Sequence, residues 1–277
     1  GGAGCGAAMY GSALRYASAE LQADSEVVLA ALQAGVQDDV DDDGSALEYA
    51  SAELKGDPEV VLAAVQQEGH ALRYASAELQ ADSEVVLAAV QQDGGAFRYA
   101  SAELRADREV VLAAVQLDGS ALEYASAELR ADREVVLAAV QQNRFAFVLQ
   151  HAAAELRADR EFMLAMVQQD GGAFRYASAE LKGDRNFVLA AVQQNGRALA
   201  YASAELQGDR EVVLAAVQQR GYALQYASAE MKGDREVVLA AMQQSGPELN
   251  GYAFEYASAE LQADREIVLA AVQQNGY

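Results

Sequence analysis

The chain is short of the residue types that most often carry chemistry. Its 277 residues include no tryptophan, one cysteine and two histidines. A single cysteine, Cys5, cannot form a disulfide framework, and it leaves the redox compartment undetermined. Two histidines cannot build a multi-histidine metal site, and no serine or cysteine has a base near it in the sequence pattern. We therefore expect a protein that is not an enzyme and has no catalytic residues.

Positive charge is scarce as well. The 20 lysines and arginines are outnumbered by 42 aspartates and glutamates, which gives a formal net charge of −22. Nucleic acids and anionic membrane surfaces bind basic proteins, so we expect neither as a direct ligand. A basic or neutral protein partner is compatible with this charge, and so is an acidic surface that only maintains solubility. Because no apolar run of about 18 residues or more occurs, we predict no membrane span.

What the chain does contain is one segment repeated many times. The reference copy, residues 71–95, reads ALRYASAELQADSEVVLAAVQQDGG, and its tyrosine, Tyr74, recurs about every 25 residues. The equivalent residues are Tyr16, Tyr49, Tyr99, Tyr124, His151, Tyr176, Tyr201, Tyr226 and Tyr256. A fixed period in this range is typical of an array in which each repeat packs against its neighbours, and not of a single globular core.

The first half of the repeat has the spacing of a helix. Leu72, Ala75, Ser76 and Leu79 fall on one face when the segment is drawn as a helix. Tyr74 flanks this face, which indicates a second contact surface towards the next repeat. The residue before the tyrosine differs from copy to copy, as expected for a position exposed to solvent.

The second half predicts another helix with a cap at its start. Asp82 is suited to accept hydrogen bonds from the unpaired amides of the first turn, and the body from Val85 to Val90 is apolar over more than half its circumference. Gly94 fits the position just after the helix end. Helices of roughly ten residues are marginal alone in water, so each pair must bury its apolar faces against neighbouring pairs.

These features predict an all-α fold, a superhelical solenoid of about ten helix-turn-helix repeats. A leucine-rich repeat has a similar period, but the L-x-x-L-x-L-x-x-N pattern is missing and VVLAAV suits a helix better than a strand. Residues 1–12 form a Gly/Ala-rich leader, interpreted as a degenerate repeat, and residues 13–277 form a single solenoid with insertions at 36–44, 144–147 and 246–251. Neither end carries a polar cap, so we expect other chains or further repeats to cover the ends.

One insertion contains a pattern that resembles a metal site. Asp39, Asp41 and Asp43 alternate along the chain and are followed by glycine, as in the first half of a calcium-binding loop. The twelfth position of such a loop is a glutamate that binds calcium through both oxygens, but Ala50 occupies it here. We favour a solvated acidic loop without a bound cofactor and keep a weak calcium site as the alternative.

Repeat six departs from the pattern in ways that indicate either binding or altered packing. His151 replaces the tyrosine, and we interpret it as a partly buried ring in preference to a cofactor- or pigment-binding residue. A cluster of cationic, aromatic and methionine side chains belongs to the same repeat. It consists of Arg144, Phe145, Phe147, Phe162, Met163 and Met166. An exposed cluster of this kind would form an interaction hot spot, whereas a buried one would repack a bend, and we favour burial.

The motifs YASAEL and D-x-E-V-V-L-A-A-V-Q-Q-x-G resemble a tandem-repeat family of unknown function. That family is known chiefly from protists, algae and large DNA viruses, and it is described as a domain two of the present repeats long. The resemblance covers residues 13–277. It implies an array of helices, and it implies no catalytic residues and no established activity.

Together these observations favour a non-enzymatic scaffold, linker or assembly subunit that binds protein partners within a larger complex. The family's occurrence in algae suggests an organellar complex, for example a photosynthetic one in the chloroplast, reached after removal of a targeting segment. The absence of an initial methionine fits that reading and a trimmed chain equally. Two other functions stay open: a calcium- or pigment-binding module, and the repeat portion of a larger enzyme, viral or effector protein.

The acidic insertion can be tested by thermal unfolding with and without calcium. Because the bidentate glutamate is missing, we expect millimolar calcium to change the Tm of the wild type by less than about 1 °C, beyond any shift that the same concentration of magnesium causes. A calcium-specific rise in Tm that Asp41→Ala abolishes would show that the calcium site is the correct alternative.

Overall fold

A computed structural model describes residues 12–34, 46–143, 146–244 and 250–274. Every regular element in these ranges is an α-helix or a 3-10 helix, and no β-strand occurs in them. The prediction of an all-α array of short repeated helices is therefore confirmed. The chain divides into two compact units, Gly1–Arg144 and Phe145–Tyr277. The boundary falls inside the predicted insertion at 144–147, and the single continuous solenoid stays a prediction.

Most repeats contain three helical segments instead of the predicted two; the repeat that starts with Gly196–Tyr201 has no short helix before its long helix, Arg210–Gln219. In the repeat that runs from Gly69 to Asp93, a 3-10 helix, Gly69–Tyr74, is followed by a short helix, Ala77–Gln80, and a long helix, Ser83–Gln92. Ala75 and Ser76, between the first two, have extended backbones with ψ of 156° and 158°. The prediction of one first helix of roughly ten residues is therefore wrong.

The same three segments recur along both units. The 3-10 helices are Ser12–Tyr16, Ala46–Tyr49, Gly69–Tyr74, Gly94–Tyr99, Gly119–Tyr124, Ala146–Gln150, Gly171–Tyr176, Gly196–Tyr201 and Gly221–Tyr226, and an α-helix, Asn250–Glu255, takes their place in the last repeat. The short helices are Ala19–Gln22, Leu54–Gly56, Ala77–Gln80, Ala102–Ala106, Leu129–Ala131, Ala154–Ala158, Ala179–Gly183, Ala229–Lys232 and Ala259–Gln262. The long helices are Ser25–Ala34, Pro58–Gln67, Ser83–Gln92, Arg108–Leu117, Arg133–Asn143, Arg160–Gln169, Arg185–Gln194, Arg210–Gln219, Arg235–Gln244 and Arg265–Gln274.

A backbone hydrogen bond between repeats explains why the first helix breaks. The amide of Ser76 donates to the carbonyl of Lys55 in the preceding repeat at 2.8 Å, whereas in a continuous helix it would donate to the carbonyl four residues back. The Ser76 hydroxyl also caps the short helix by accepting from the amide of Leu79 at 3.4 Å. The same inter-repeat hydrogen bond, at 2.8–2.9 Å, joins Ser51 to Gln22, Ser101 to Gln80, Ser126 to Arg105, Ser178 to Arg157, Ser203 to Lys182, Ser228 to Gln207 and Ser258 to Lys232. This bond fixes the offset between neighbouring repeats.

The cap of the long helix is the one that the sequence predicts. Oδ1 of Asp82 accepts from the amides of Glu84 and Val85 at 2.9 and 3.1 Å. Two of the amides that the helix start leaves unpaired are satisfied in this way. The long helix therefore begins at the same place in each repeat that has this aspartate.

The apolar residues of the long helix are covered by neighbouring repeats. Val85, Val86, Ala89 and Val90 are each at most 2% exposed, and their helix packs between the long helices of the preceding and following repeats. Leu72 of the 3-10 helix is fully buried in the same core. Burial of one valine contributes about 1.5–3 kcal/mol. A helix that would be marginal alone is therefore stabilised by its neighbours.

The repeated glycine has a different role from the predicted one. Gly94 does follow the long helix, but the residue before it is extended, with φ of −153°, and the glycine has no left-handed backbone. Glycine stands at this position because the tightly packed surroundings leave no room for a Cβ. A Cβ at Gly69 would lie 2.5 Å from the carbonyl oxygen of Ala89, and one at Gly196 would lie 2.4 Å from that of Ala216. Backbone oxygens of a packed helix cannot move aside at low cost, so a side chain is excluded.

Gly196→Ala tests this steric role. The added methyl group must displace the backbone of the long helix, so we expect the free energy of unfolding to fall by about 1–3 kcal/mol. Gly183→Ala is the matched control, because a Cβ there meets nothing within 4 Å and Gly183 lies at the end of a short helix. Alanine should be neutral there or stabilise by up to about 1 kcal/mol. Urea denaturation measures both, and equal effects of the two substitutions would contradict the steric role.

Candidate interaction surface

The exposed side of the 3-10 helices forms a surface that we call the tyrosine face. In each repeat it consists of the tyrosine, the residue just before it, and the residues four and six positions before it. In the reference repeat these are Tyr74, Arg73, His70 and Glu68. The buried residues of the same 3-10 helix, Ala71 and Leu72 among them, point into the core, so the remaining side chains meet solvent.

The tyrosines of this face are held by cations and by the neighbouring repeat. The Tyr74 hydroxyl donates to Oε2 of Glu48 at 3.0 Å, so this side chain contacts the preceding repeat. The guanidinium carbon of Arg73 lies 4.5 Å from the centre of the Tyr74 ring. Arg98 lies 4.8 Å from the Tyr99 ring, and its Nη2 donates to the Tyr99 hydroxyl at 2.6 Å. Burial raises the pKa of Tyr74, so its hydroxyl stays protonated at neutral pH.

The tyrosine face is where the repeats differ from one another. The residue four positions before the tyrosine is His70, Gly95, Ser120, Phe147, Gly172, Arg197 or Tyr222 in seven successive repeats. The residue directly before it is Arg15, Glu48, Arg73, Arg98, Glu123, Gln150, Arg175, Ala200, Gln225 or Glu255. The solvent side of the long helix, in contrast, repeats Leu87, Ala88 and Gln91 without change in all ten copies. The tyrosine face is therefore more variable than these three positions of the long helix.

A cavity of about 300 Å³ opens on this face in the second unit. We call it the Gly172 notch after a glycine of its lining, which stands where Arg197 and Tyr222 stand in the following repeats. Its lining includes Phe147, Gly172, Arg175, Tyr176, Arg197 and Tyr201. Phe147 is 39% exposed, and the guanidinium carbon of Arg175 lies 5.9 Å from the centre of the Tyr176 ring. The notch thus combines three aromatic rings with two guanidinium groups and the carboxylate of Asp170, which accepts from the amide of Gly172 at 2.8 Å.

The cations at and beside the Gly172 notch lack carboxylate partners. Arg157, Arg175, Lys182 and Arg197 form no ion pair with any carboxylate in the part of the chain that the structure describes. Nζ of Lys182 donates to the carbonyl of Arg175 at 2.6 Å. Burial, together with the charges of Arg157 and Arg175, lowers the pKa of Lys182. Nε of Arg157 is buried and has no hydrogen-bond partner among the described residues.

A second charged feature, which we call the arginine ladder, connects the starts of successive long helices. Nε of Arg185 donates to Oδ2 of Asp209 in the next repeat at 2.8 Å, and its Nη2 pairs with Glu211. Asp209 also caps its own helix by accepting from the amides of Glu211 and Val212. Further rungs join Arg108 to Asp132 and Glu134, Arg160 to Asp184, Arg210 to Asp234 and Glu236, and Arg235 to Asp264 and Glu266.

Sequence reasoning missed the arginine ladder, although a signal for it exists. The residue after the capping aspartate is Ser25, Pro58 and Ser83 in the first three repeats and arginine in the later ones. A cation at the start of a helix is disfavoured by the helix dipole. Its recurrence at that position therefore indicates that it pairs with a carboxylate of another repeat.

Three of the predicted interaction residues belong to the core. Phe162, Met163 and Met166 are 4%, 0% and 2% exposed, so they cannot form an exposed hot spot, and their burial is the alternative that the sequence favours. Phe147 is the described member of that cluster that reaches solvent. Arg144 and Phe145 lie outside the described residues.

Both histidines are half-buried and have partners. Nε2 of His151 lies 3.0 Å from Nε2 of Gln150. Nδ1 of His70 lies 2.9 Å from Oδ2 of Asp93, and its ring packs edge-on against Tyr99 with centroids 5.8 Å apart. His151 is therefore placed as the sequence suggests, as a partly buried ring.

The calcium candidates Asp39, Asp41 and Asp43 lie outside the described residues. Within the described ranges, no three histidine, cysteine or carboxylate side chains are grouped as ligands of one metal ion would be. No helix in those ranges is long and apolar enough to cross a membrane.

The fold defines a class of protein: an all-α tandem-repeat array. Within that class, the chain belongs to the family described as Domain of unknown function (DUF4116), whose model matches it seven times. The matches cover residues 39–80, 58–105, 82–130, 107–157, 159–207, 209–247 and 248–277. Most of them span about two repeats, in agreement with the resemblance seen in the motifs. Neither a curated protein nor a solved structure matches the chain.

The arginine ladder can be measured at Arg185 and Asp209. We expect a double-mutant cycle of Arg185→Ser and Asp209→Asn to give a coupling free energy of about 0.2–1 kcal/mol, because the pair is partly exposed. Asp107→Asn is the matched control, since Asp107 caps a long helix in the same way but faces Ser83 in the preceding repeat. Asp107→Asn should lower the free energy of unfolding by less than Asp209→Asn does. A coupling free energy of zero between Arg185 and Asp209 would show that their ion pair adds nothing to stability.

The same pair makes stability depend on pH. The hydrogen bond from Arg185 is the main reason why the pKa of Asp209 is lowered. Because the pKa is lowered in the folded state, the contribution of Asp209 to the free energy of unfolding is fully present above its unfolded pKa of about 3.9. This contribution is lost as the pH falls through the lower pKa of the folded state. The free energies of unfolding of wild type and Asp209→Asn should therefore converge below pH of about 4. A difference that stays constant into strong acid would contradict the assignment.

Proposed function

We propose that the protein is a non-enzymatic scaffold that binds other proteins through the tyrosine face. The observation that carries the proposal is the contrast between two solvent-facing surfaces. The long helices repeat leucine, alanine and glutamine unchanged, while the tyrosine face carries different residues in each repeat. Exposure alone would allow both surfaces to vary. A constant framework with one variable surface is expected when different repeats contact different parts of a partner.

The side chains of the tyrosine face support protein binding. Tyrosine and arginine are enriched among the residues that carry binding energy at protein interfaces. Arg73 and Tyr74 already pack against each other, and Tyr74 is bonded to Glu48 of the preceding repeat. Such side chains lose little conformational freedom when a partner covers them, which favours affinity.

A linker or assembly subunit of a larger complex is the narrower form of this proposal. Several repeats in each unit carry their own set of tyrosine-face residues, so one chain offers more than one contact region. A calcium- or pigment-binding module would bind its ligand at Asp41 or His151 instead. A repeat array within a longer enzyme, viral or effector protein would use the tyrosine face in the same way.

Quantitative affinity capture from an extract of the native source tests the proposal with two variants. The face variant combines Arg98→Gln, Phe147→Ser and Tyr222→Ser, each of which introduces a residue found at the same position in another repeat. The control variant combines Leu117→Gln, Gln193→Ser and Gln218→Ser on the exposed side of the long helices. Both sets avoid the core, so both proteins should fold.

We expect the proteins captured by the wild type to be retained by the control variant and reduced roughly tenfold or more with the face variant, since loss of central aromatic and arginine contacts costs more than about 1 kcal/mol each. Mass spectrometry with isotope-labelled references measures the ratio. Capture that both variants retain, or that only the control variant loses, would contradict binding through the tyrosine face.

A further inference from the structure

We propose that the Gly172 notch binds an acidic segment of a partner protein, with an aromatic side chain of that segment in the notch and its carboxylates on Arg175 and Arg197. Arg157 and Lys182 lie beside this site. The inference rests on the proposed function, because it names the chemistry of the partner for one part of the tyrosine face.

The charge of this region is opposite to that of the whole chain. We consider the tyrosine-face positions of repeats six to nine together with the short-helix position that Lys182 occupies. Cations at these positions are Arg157, Arg175, Lys182, Arg197, Arg220 and Lys232, and the carboxylate is Asp170. Six cations and one carboxylate stand here in a chain that has 20 cations and 42 carboxylates in total. The region is therefore a basic surface on an acidic protein.

The first unit contains a related segment that lacks this property. GGAFRY occurs at residues 94–99 and again at 171–176. Around the first copy, Glu48 and Glu123 occupy the position before the tyrosine in nearby repeats, and Glu123 and Arg98 both lie near Tyr124. His70, which stands where Phe147 stands in the second unit, pairs with Asp93. Asp170 precedes the second copy as Asp93 precedes the first, but the second copy has no counterparts of Glu48 and Glu123, because Gln150 and Ala200 stand before the tyrosine position in the adjacent repeats.

The arginine ladder shows how the same chain neutralises other arginines. Arg185 forms ion pairs with two carboxylates of the next repeat, whereas Arg175 and Arg197 form no ion pair among the described residues, although Asp170 lines the same notch. A neutral partner that covered these guanidinium groups would remove their water without replacing it, which is costly. Carboxylates of a partner would replace that water with charge-assisted hydrogen bonds.

The net charge of the protein does not prevent this contact. At physiological ionic strength the Debye length is about 8 Å. A carboxylate in contact with Arg175 and Arg197 therefore interacts with these two groups much more strongly than with distant aspartates. The local cations, and not the total of −22, decide the sign of the interaction.

The size and lining of the notch favour a peptide side chain. About 300 Å³ is at the lower end of small-molecule pockets, and the rings of Phe147, Tyr176 and Tyr201 suit an aromatic group packed edge or face against them. A nucleic acid would need a longer basic track. Exposed Glu180 and Glu205 of the same repeats interrupt such a track and repel a continuous polyanion.

Fluorescence anisotropy with the full chain tests the proposal. One probe is a fluorescein-labelled synthetic peptide of alternating glutamate and tyrosine, and the second has glutamine in place of glutamate. At physiological salt we expect the glutamate peptide to bind at least about tenfold more tightly, because its carboxylates make charge-assisted hydrogen bonds with the arginines. Labelled single-stranded RNA of equal length serves as the polyanion comparison.

Two pairs of variants locate the site. Gly172→Tyr fills the notch with the residue that Tyr222 provides at the same position, and Gly95→Tyr is its control, since a Cβ at the two glycines meets Asp170 and Asp93 at 3.1 and 3.0 Å. Arg175→Gln combined with Arg197→Ser removes the cations, and Arg105→Gln combined with Arg108→Ser, which removes two cations outside the tyrosine face, is the control in the first unit. Circular dichroism confirms that all four fold.

We expect both second-unit variants to weaken binding of the glutamate peptide roughly tenfold or more and both controls to leave it within about twofold. Equal binding of the two peptides, weakening by the controls alone, or tighter binding of RNA would overturn the proposal. If the peptide result is negative while the face variant still loses its captured proteins, the acidic partner is wrong and the scaffold function stands.

Discussion

Within each unit, the hydrogen bond from the serine of YASAEL to the repeat before it determines the geometry of the rest. Ser76 can donate to Lys55 only if the chain leaves helical geometry at Ala75 and Ser76. That break ends the 3-10 helix at Tyr74 and so brings the tyrosine to the surface, beside a carboxylate of its neighbour. It also gives Ser76 the extended backbone that an N-cap residue needs. One donor and one acceptor therefore set the offset between repeats, the start of the short helix and the position of the tyrosine face.

The fold class and the long helix could be predicted from the sequence, but the broken first helix could not be predicted from periodicity. Leu72, Ala75 and Leu79 are buried, as a continuous helix also requires, so the pattern of apolar residues does not reveal the break. A local signal exists in Ser76-Ala77-Glu78, which has the same form as the capping sequence Asp82-Ser83-Glu84. The hydrogen bond itself joins two repeats, and a sequence pattern within one repeat contains no information on its acceptor.

The candidate site was predicted less well, for a related reason. Aromatic and methionine residues of repeat six stand out in the sequence, yet Phe162 and Met163 fill the core because the long helix turns their positions inward. The notch is lined by Gly172, which has no side chain, and by residues of the preceding and following repeats, such as Phe147 and Arg197. An unusual residue can be recognised from the sequence of a single repeat, whereas this cavity is formed by residues of three successive repeats.

The contact between repeats uses a backbone donor and a backbone acceptor, so it does not depend on which side chains the two repeats carry. Lys55, Gln80 and Arg105 all accept the bond through their carbonyls. A block of about 25 residues copied in frame within the gene would find the acceptor it needs in whatever block stood before it. Unequal recombination can therefore lengthen or shorten such an array without new compensating substitutions. Each inserted copy is then free to acquire its own surface residues by point mutation.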